Sequence, residues 1–237
     1  MDQLFLTGAS SDIGMAICRR YLAEGHKVVA HYHAGRDIFN DLVNGNKNLI
    51  GLNIDFSDPE NVEAAIQEHK DILCASDIFI NAAAIFEATP FSQITAEKLT
   101  RALNINLVPG YLFMRTIAPA MCERGWGRIV QLSSISAQFG GGSASFCYAL
   151  SKYAMEFLPS DHKKWAKHDV LANVLRVGVT DTRIHQNDPT KSISKRVALI
   201  PIGRMASVDE IAEVAFWLGS KNNTFVTGQT IIASGGE

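Results

Sequence analysis

This 237-residue sequence has neither a large excess of one sign of charge nor a long apolar run. The net charge is −2 and no block of Lys or Arg occurs, so the charge pattern gives no reason to expect nucleic acid or an anionic membrane as a partner. No apolar run approaches the roughly 20 residues of a membrane-spanning helix. We therefore expect a soluble domain that binds neither nucleic acid nor membrane.

Cysteine is also rare, and its four copies show no CxxC spacing. They are Cys18, Cys74, Cys122 and Cys147. Reduced thiols and no metal site are the expectation for such a pattern. The chain opens on Met1-Asp2-Gln3 and enters a strand-like run at once, so neither a signal peptide nor a transit peptide is visible. The expected location is cytoplasmic.

Strand-like and helix-like segments alternate along the whole chain, without an internal repeat or linker. The predicted strands are 3–7, 27–32, 48–54, 77–80, 128–132, 170–177 and 230–233. Such alternation predicts an α/β fold: a single doubly wound parallel β-sheet of the Rossmann type, with helices on both faces. The length suits one domain over residues 1–237.

A glycine-containing turn follows the first predicted strand and leads into a helix. Its candidate cofactor contacts are Gly8, Ser10, Ser11, Asp12, Ile13 and Gly14. In this context backbone N–H groups and the positive helix end can face a pyrophosphate. An ordinary tight turn would look similar, but its position in the first strand–helix unit favours a dinucleotide site.

The second predicted strand lacks the acidic residue that usually bonds the ribose hydroxyls of NAD. No Asp or Glu occurs between Lys27 and Arg36, and His31, His33 and Arg36 stand there instead. We interpret this basic group as a pocket for the 2′-phosphate, which predicts NADP (NADPH). A solvated basic loop is the alternative.

Further candidate contacts lie where the next strands end, at the edge where open α/β sheets bind ligands. Asp55 and the adjoining Phe56 follow the third strand. Asn81, Ala82 and Ala83 end the fourth, where small residues permit close approach of a ligand to the backbone.

Tyr148 and Lys152 are four residues apart in a helix-favouring segment that runs from Tyr148 to Trp165, so both side chains lie on one face. An ammonium close to the phenol lowers its pKa from about 10 and makes a proton-transfer unit. The neighbouring Tyr153 is followed four residues later by Phe157, so only Tyr148 has a lysine at this spacing. Pro159 should kink this helix or end it early.

Taken together, these motifs resemble those of the short-chain dehydrogenase/reductase family, over residues 4–236. Residues 7–14 are similar to its TGxxxGxG turn, Asn81-Ala82-Ala83 to its NAG motif, and Tyr148 with Lys152 to its YxxxK. Residues 176–182 resemble its PG…T segment, which implies that Gly178, Val179 and Thr182 hold the nicotinamide. Ser134 lies at the position of its catalytic serine.

The resemblance implies catalytic roles for four residues. Ser134 hydrogen-bonds and positions the substrate carbonyl, and Tyr148 acts as general acid or base. Lys152 lowers the tyrosine pKa and bonds the nicotinamide ribose, and Asn106 holds a water linked to Lys152. Asn104 competes with Asn106, and Ser133 and Ser136 compete with Ser134; the fit to the family pattern decides each choice.

Four positions depart from the family pattern. Asp12 replaces a glycine of the turn, Val177 a proline, and Ser234 an aspartate, while Pro159 interrupts the helix that helps form the oligomer contact in relatives. We still expect a homo-oligomer, a tetramer or dimer, although Pro159 puts its packing in doubt.

The expected function is an NADP-dependent oxidoreductase that transfers hydride between nicotinamide and a ketone or secondary alcohol, a 3-oxoacyl thioester among the candidates. The alternative is a catalytically idle NADP-binding sensor or assembly subunit. Substrate specificity is expected to reside in residues 137–147 and 183–200, two loops at the carboxyl edge of the sheet.

Overall fold

One parallel sheet organises the protein. The computed structural model describes residues 1–34, 37–187 and 192–237. Within these ranges seven strands pair, β1 (Gln3–Thr7), β2 (Lys27–Tyr32), β3 (Leu49–Asn53), β4 (Ile78–Asn81), β5 (Gly127–Ser134), β6 (Val170–Val177) and β7 (Thr230–Ala233). All pairs are parallel, in the order β3-β2-β1-β4-β5-β6-β7, which confirms the doubly wound sheet.

Helices cover the sheet and fill the connections between its strands. The described helices are α1 (Asp12–Ala23), α2 (Asp37–Gly45), α3 (Pro59–Glu68), α4 (Lys70–Cys74), α5 (Ala96–Asn106), α6 (Val108–Arg124), α7 (Ser136–Phe139), α8 (Phe146–Met155), α9 (His162–Trp165), α10 (Ile193–Val197) and α11 (Val208–Leu218). Short 3-10 turns occupy Phe91–Gln93, Ala166–His168 and Arg183–Asn187.

Apolar side chains are buried on both faces of the sheet, which is why the strands read as nearly continuous apolar runs. In β1, Leu4 and Leu6 pack into one core with α1 and α11, and Phe5 points into the other core with α3 and α6. The order of strands reverses between β1 and β4, the strands on either side of the chain's topological switch point. Ligands bind beyond the carboxyl ends of strands at such a point.

Side-chain caps fix several helix starts. Asp58 accepts from the Glu60 N–H at the start of α3, with Pro59 in the first turn. Ser207 and Glu210 form a reciprocal capping box at the start of α11. Each cap satisfies a backbone N–H that the helix itself leaves unpaired.

The prediction that Pro159 kinks the Tyr148 helix or ends it early is confirmed. The chain leaves the helical path after Met155, and α9 begins only at His162, with Pro159 in the link, so residues 148–165 do not form one continuous helix. Proline cannot donate the backbone hydrogen bond that would continue α8. A second break, at Leu107, separates α5 from α6.

Candidate functional site

A cleft of about 1290 Å³ opens along the carboxyl edge of the sheet. Its lining comes from the turn after β1 and from the segments that follow β2 to β6. Predicted site residues that line it are Gly8, Ser10, Ser11, Asp12, Ile13, His31, His33, Asp55, Phe56, Ala82, Ala83, Ser134, Tyr148, Lys152, Gly178, Val179 and Thr182. The fold therefore brings most of the predicted site residues, which come from distant segments of the sequence, into one cleft.

The turn after β1 is built on two glycines that no other residue could replace without a shift of the backbone. Gly8 has φ +69°, and a Cβ there would lie 2.7 Å from the backbone of Ala83. A Cβ on Gly14 would overlap the Gly8 carbonyl oxygen. Ser11 locks this arrangement, since its hydroxyl donates to the Gly8 carbonyl and accepts from the Gly14 N–H. The start of α1 is thus held open toward the cleft.

Asn81 holds three strands together from behind the cleft. It accepts from the Thr7 hydroxyl at 2.6 Å and donates to Gln131 at 2.7 Å. The Thr7 hydroxyl in turn accepts from the N–H groups of Ala82 and Ala83. Asn81 is buried and, like Gly14, does not line the cleft, so both residues shape its wall rather than its surface.

His31 does not fit the predicted role of a positively charged phosphate ligand. Its ring is 3% exposed and stacks on Phe56 at 3.8 Å. Nδ1 accepts from the Gly8 N–H and Nε2 lies 3.0 Å from the Ile54 carbonyl. Burial lowers the pKa of His31 to about 4, so the ring is neutral at pH 7. Its place in the fold is structural: it ties β2 to the glycine turn.

The other basic candidates differ in what the structure describes. His33 is exposed, with Nε2 3.9 Å from the carboxylate of Asp55. Hydrogen bonds from Ser57 hold the pKa of Asp55 below its usual value, with His33 adding to the effect. Arg36 lies outside the described residues. The basic group predicted for the 2′-phosphate is therefore reduced, among described side chains, to His33.

Ser134, Tyr148 and Lys152 meet at the floor of the cleft. The Tyr148 hydroxyl hydrogen-bonds Ser134. Ser134 is held by Ser136, whose N–H and hydroxyl lie 3.2 and 3.0 Å from its oxygen. Ser133 points elsewhere: it is buried and donates to the Lys152 carbonyl and to Glu156. Ser134 is therefore the one of the three serines that joins Tyr148.

Lys152 does not lower the pKa of Tyr148 as predicted. Burial raises the pKa of the phenol above its ordinary value, and the hydrogen bond with Ser134 offsets this only in part. The Lys152 ammonium donates to the Leu132 carbonyl at 2.7 Å and lies 5.9 Å from the centre of the Tyr148 ring. Burial also lowers the pKa of Lys152 to about 7, which weakens its charge near neutral pH.

Asn106 is buried, and its side-chain hydrogen bonds go to Ile85 and Ser151. Its amide oxygen accepts from the Ile85 N–H, and its nitrogen donates to the Ile85 carbonyl and the Ser151 hydroxyl. These bonds lie where α5 ends, next to the break at Leu107. The role of Asn106 in holding a water for Lys152 stays a prediction. Asn104, the competing candidate, instead points at the Ser57 carbonyl.

Sequence reasoning missed Phe86 and Glu237, which line the cleft. Phe86 packs edge-on against Tyr148, with ring centres 5.6 Å apart. Glu237, which follows β7, forms an ion pair with Arg196 of α10, a residue of the predicted specificity loop 183–200. Arg183, the first residue of that loop, reaches Asp12 across the cleft. Of the two loops expected to set specificity, residues 188–191 lie outside the described ranges, and both loops otherwise contribute to the lining.

Comparisons with known proteins identify the family of this chain. Residues 8–237 match a family model described as enoyl-(acyl carrier protein) reductase. An acetoacetyl-CoA reductase of Shinella zoogloeoides is 30% identical over 236 residues, 98% of this chain and 96% of the relative. A 2-dehydro-3-deoxy-L-rhamnonate dehydrogenase (NAD(+)) of Sphingomonas sp. (strain SKA58) is 30% identical over 236 residues, 98% of this chain and 93% of the relative.

Among solved structures, a blue fluorescent protein from a metagenomic library, in complex with NADPH, superposes with a TM-score of 0.87. It is 26% identical, and the match covers 99% of this chain and 97% of that one. Fold, cleft and relatives define an oxidoreductase on a Rossmann-type sheet. The chain belongs to the short-chain dehydrogenase/reductase family, as the motifs predicted.

The described residues show neither a membrane-spanning helix nor a metal-binding group. No helix in these ranges combines the length and apolarity needed to cross a bilayer. No group of three or more His, Cys, Asp or Glu side chains in the same ranges is arranged to hold a metal ion.

Proposed function

We propose that this protein is an NADP-dependent reductase of ketones, with Tyr148 as the general acid. The observation that carries the proposal is the hydrogen bond between the Tyr148 and Ser134 hydroxyls in the cleft, with Lys152 buried beside them. Hydride addition to a carbonyl carbon places negative charge on its oxygen, and preorganised donors aimed at that oxygen stabilise the transition state. Two adjacent hydroxyls supply such donors.

The residues present fit a dinucleotide cofactor. A Cβ at Gly8 or Gly14 would clash with the backbone, so the turn is shaped for close approach at the start of α1. Residues of this turn would hold the pyrophosphate, and Gly178, Val179 and Thr182 would hold the nicotinamide end. When bound, reduced nicotinamide supplies the hydride.

The elevated pKa of Tyr148 fits the reductive direction. A phenol with a pKa above 10 stays protonated at pH 7 and so can donate to an alkoxide as it forms. Ser134 is oriented by two hydrogen bonds from Ser136, which leaves its own proton for the substrate oxygen or Tyr148. Donation leaves Tyr148 as a tyrosinate, and Lys152, whose pKa burial lowers to about 7, is suited to return a proton to that oxygen.

The preference for NADPH over NADH depends on the residues that follow β2. NADPH is favoured by the missing acid after β2 and by His33, whereas Asp55 beside His33 reduces the local positive charge. The name of the Sphingomonas relative includes NAD(+), whereas the blue fluorescent protein was solved in complex with NADPH. Steady-state rates measured with NADPH and NADH at matched concentrations decide it, and a clear preference for NADH would end the NADP part.

The substrate class is drawn from the relatives. Acetoacetyl-CoA reductase and 3-oxoacyl-[acyl-carrier-protein] reductase MabA are names of proteins 30% and 26% identical to this chain. We therefore place 3-oxoacyl thioesters first in a screen that also contains ketones and diketones. NADPH absorbance at fixed enzyme concentration is the readout.

Tyr148→Phe tests the assigned role, with Tyr153→Phe as matched control. Tyr153 is the next tyrosine of α8, and its side chain is exposed. We expect Tyr148→Phe to lower kcat by at least about 100-fold, the lower end for loss of general acid catalysis, while NADPH binding persists. Tyr153→Phe should retain full activity. Substantial turnover by Tyr148→Phe contradicts the role, and cofactor binding without turnover of any carbonyl by the wild type favours the idle sensor.

A further inference from the structure

Asp12 and Arg183 join the two sides of the cleft. Asp12 is the first residue of α1, in the glycine turn, and Arg183 follows β6 at the start of a 3-10 turn. The Asp12 carboxylate accepts from the Arg183 backbone N–H at 2.9 Å and from its Nε at 3.2 Å. The two residues are 171 positions apart in the sequence, so this contact is a product of the fold.

The position of Asp12 raises an electrostatic problem for a dinucleotide. Its carboxylate stands at the start of α1, where the partial positive charge of a helix attracts phosphate groups. A negative charge there repels them. The Arg183 guanidinium lies beside the carboxylate at the same helix start and offsets part of this repulsion.

Arg183 keeps part of its hydrogen-bonding capacity for another group. Nε is directed at Asp12, whereas the two terminal nitrogens make no hydrogen bond with the described part of the chain. The side chain is 55% exposed and lines the cleft. A guanidinium fixed at Nε presents its remaining donors in a set direction, which suits the oxygens of a phosphate.

We propose that Arg183 binds the pyrophosphate of the cofactor and that Asp12 is the residue that positions it. The inference rests on the proposed dinucleotide cofactor and adds two residues that act as one unit. Where the family pattern has a glycine, this chain has Asp12, whose carboxylate orients the guanidinium of Arg183.

A purely structural tie between the turn and the segment after β6 would use the same contact, so the two roles must be separated by binding. If Arg183 contacts phosphate, the effect of Asp12→Asn on NADPH binding depends on whether Arg183 is present. With Arg183 present, the substitution weakens the contact that orients the guanidinium and also removes a negative charge near the phosphates. In Arg183→Gln only the charge effect remains, so the two residues are coupled for NADPH and uncoupled for a ligand that lacks the pyrophosphate. A structural tie predicts the same coupling for both ligands.

The experiment is a titration of the full chain with NADPH by calorimetry, comparing wild type, Asp12→Asn, Arg183→Gln and the double variant. Adenosine 2′-phosphate, which has no pyrophosphate, is the second ligand, and Arg204→Gln is the control for an exposed arginine outside the cleft. We expect Arg183→Gln to weaken NADPH about tenfold, the effect of one charge-assisted hydrogen bond. Adenosine 2′-phosphate and Arg204→Gln should show wild-type constants.

Arg183→Lys adds a graded test, because it keeps the charge but loses the fork held by Asp12; its NADPH constant should fall between those of wild type and Arg183→Gln. Thermal unfolding of each variant checks that the fold persists. An unchanged NADPH constant in Arg183→Gln, or an equal effect of Asp12→Asn on NADPH binding with and without Arg183, overturns the inference alone. Failure of the wild type to bind any dinucleotide overturns the proposed function and this inference together.

Discussion

Gly14 and Gly45 give a matched test of the glycine turn at the scale of single residues. A methyl on Gly14 would overlap the Gly8 carbonyl and lie 2.8 Å from the Ser11 hydroxyl oxygen, whereas a methyl on Gly45 meets nothing within 4 Å. We expect Gly14→Ala to destabilise the protein by about 3 kcal/mol, as overpacking does, and to weaken dinucleotide binding. Gly45→Ala should be neutral or stabilise by about 0.5 kcal/mol.

Urea unfolding and NADPH titration of both variants provide the measurements for this pair. Equal stability and equal affinity in Gly14→Ala and Gly45→Ala would contradict the tight geometry of the turn.

For single residues, the sequence predicted which side chains lie in the cleft but not how deeply each is buried or what it contacts. Tyr148, Lys152 and Ser134 do meet in the cleft. The direction of the Tyr148 pKa shift was wrong, because helix spacing gives proximity but says nothing of burial or of the Leu132 carbonyl that holds the ammonium. His31 failed for a similar reason: an alternating strand places it on a face, and only the packing shows that this face is covered by Phe56.

At the scale of elements, Tyr111 of α6 secures the end of the helix that carries Tyr148. Its hydroxyl lies 3.0 Å from the Ala154 carbonyl oxygen and 2.6 Å from that of Phe157, where α8 has ended and its last carbonyls need donors. Tyr111→Phe should lower the free energy of unfolding by about 1 kcal/mol, the usual value of one hydrogen bond. It should also speed amide exchange in the last turn of α8.

Tyr153→Phe is the control for this prediction, since it removes the same atom from an exposed side chain of α8. It should change the stability by less than about 0.5 kcal/mol. Hydrogen exchange with mass spectrometry compares the two variants. Identical protection of α8 in both would show that Tyr111 contributes nothing to its end.

Element boundaries followed local signals where the chemistry was local. The residues that form the Ser207–Glu210 capping box and the Asp58–Pro59 start lie within a few positions of their helices, so such starts can be recognised from the sequence. Pro159 likewise predicted the early end of α8, which stops at Met155. The break at Leu107 is harder to predict, because the neighbouring Asn106 is bonded to the distant Ile85.

For the whole molecule, the alternation of strands and helices was sufficient to predict a doubly wound parallel sheet. The side-by-side order of strands was not predictable in the same way, since it depends on pairings such as Thr7 with Asn81, 74 residues apart. That order matters for function. It brings the ends of β1, β4, β5 and β6 together around one cleft.

The exposed apolar side chains of the whole molecule bear on the expected homo-oligomer. Two groups of exposed apolar side chains lie apart from the cleft lining. Tyr153 and Phe157 are at and beyond the end of α8, and Trp217, Phe225 and Ile232 are in or before the edge strand β7 in sequence. Phe157 and Phe225 are 81% and 92% exposed. The family resemblance implies that the region of α8 forms the main contact.

We expect light scattering after size exclusion to give a mass of two or four times 25.9 kDa for the wild type. Phe157→Ser should reduce that mass if α8 forms the contact, and Phe225→Ser if the β7 edge does, because burying each ring between copies stabilises the assembly by about 2 kcal/mol. Ile50→Ser, at the opposite edge strand β3, is the matched control and should leave the mass unchanged. A wild-type mass of 25.9 kDa at tens of micromolar protein would contradict the expectation, and would mean that Pro159 and the early end of α8 remove the contact that relatives use.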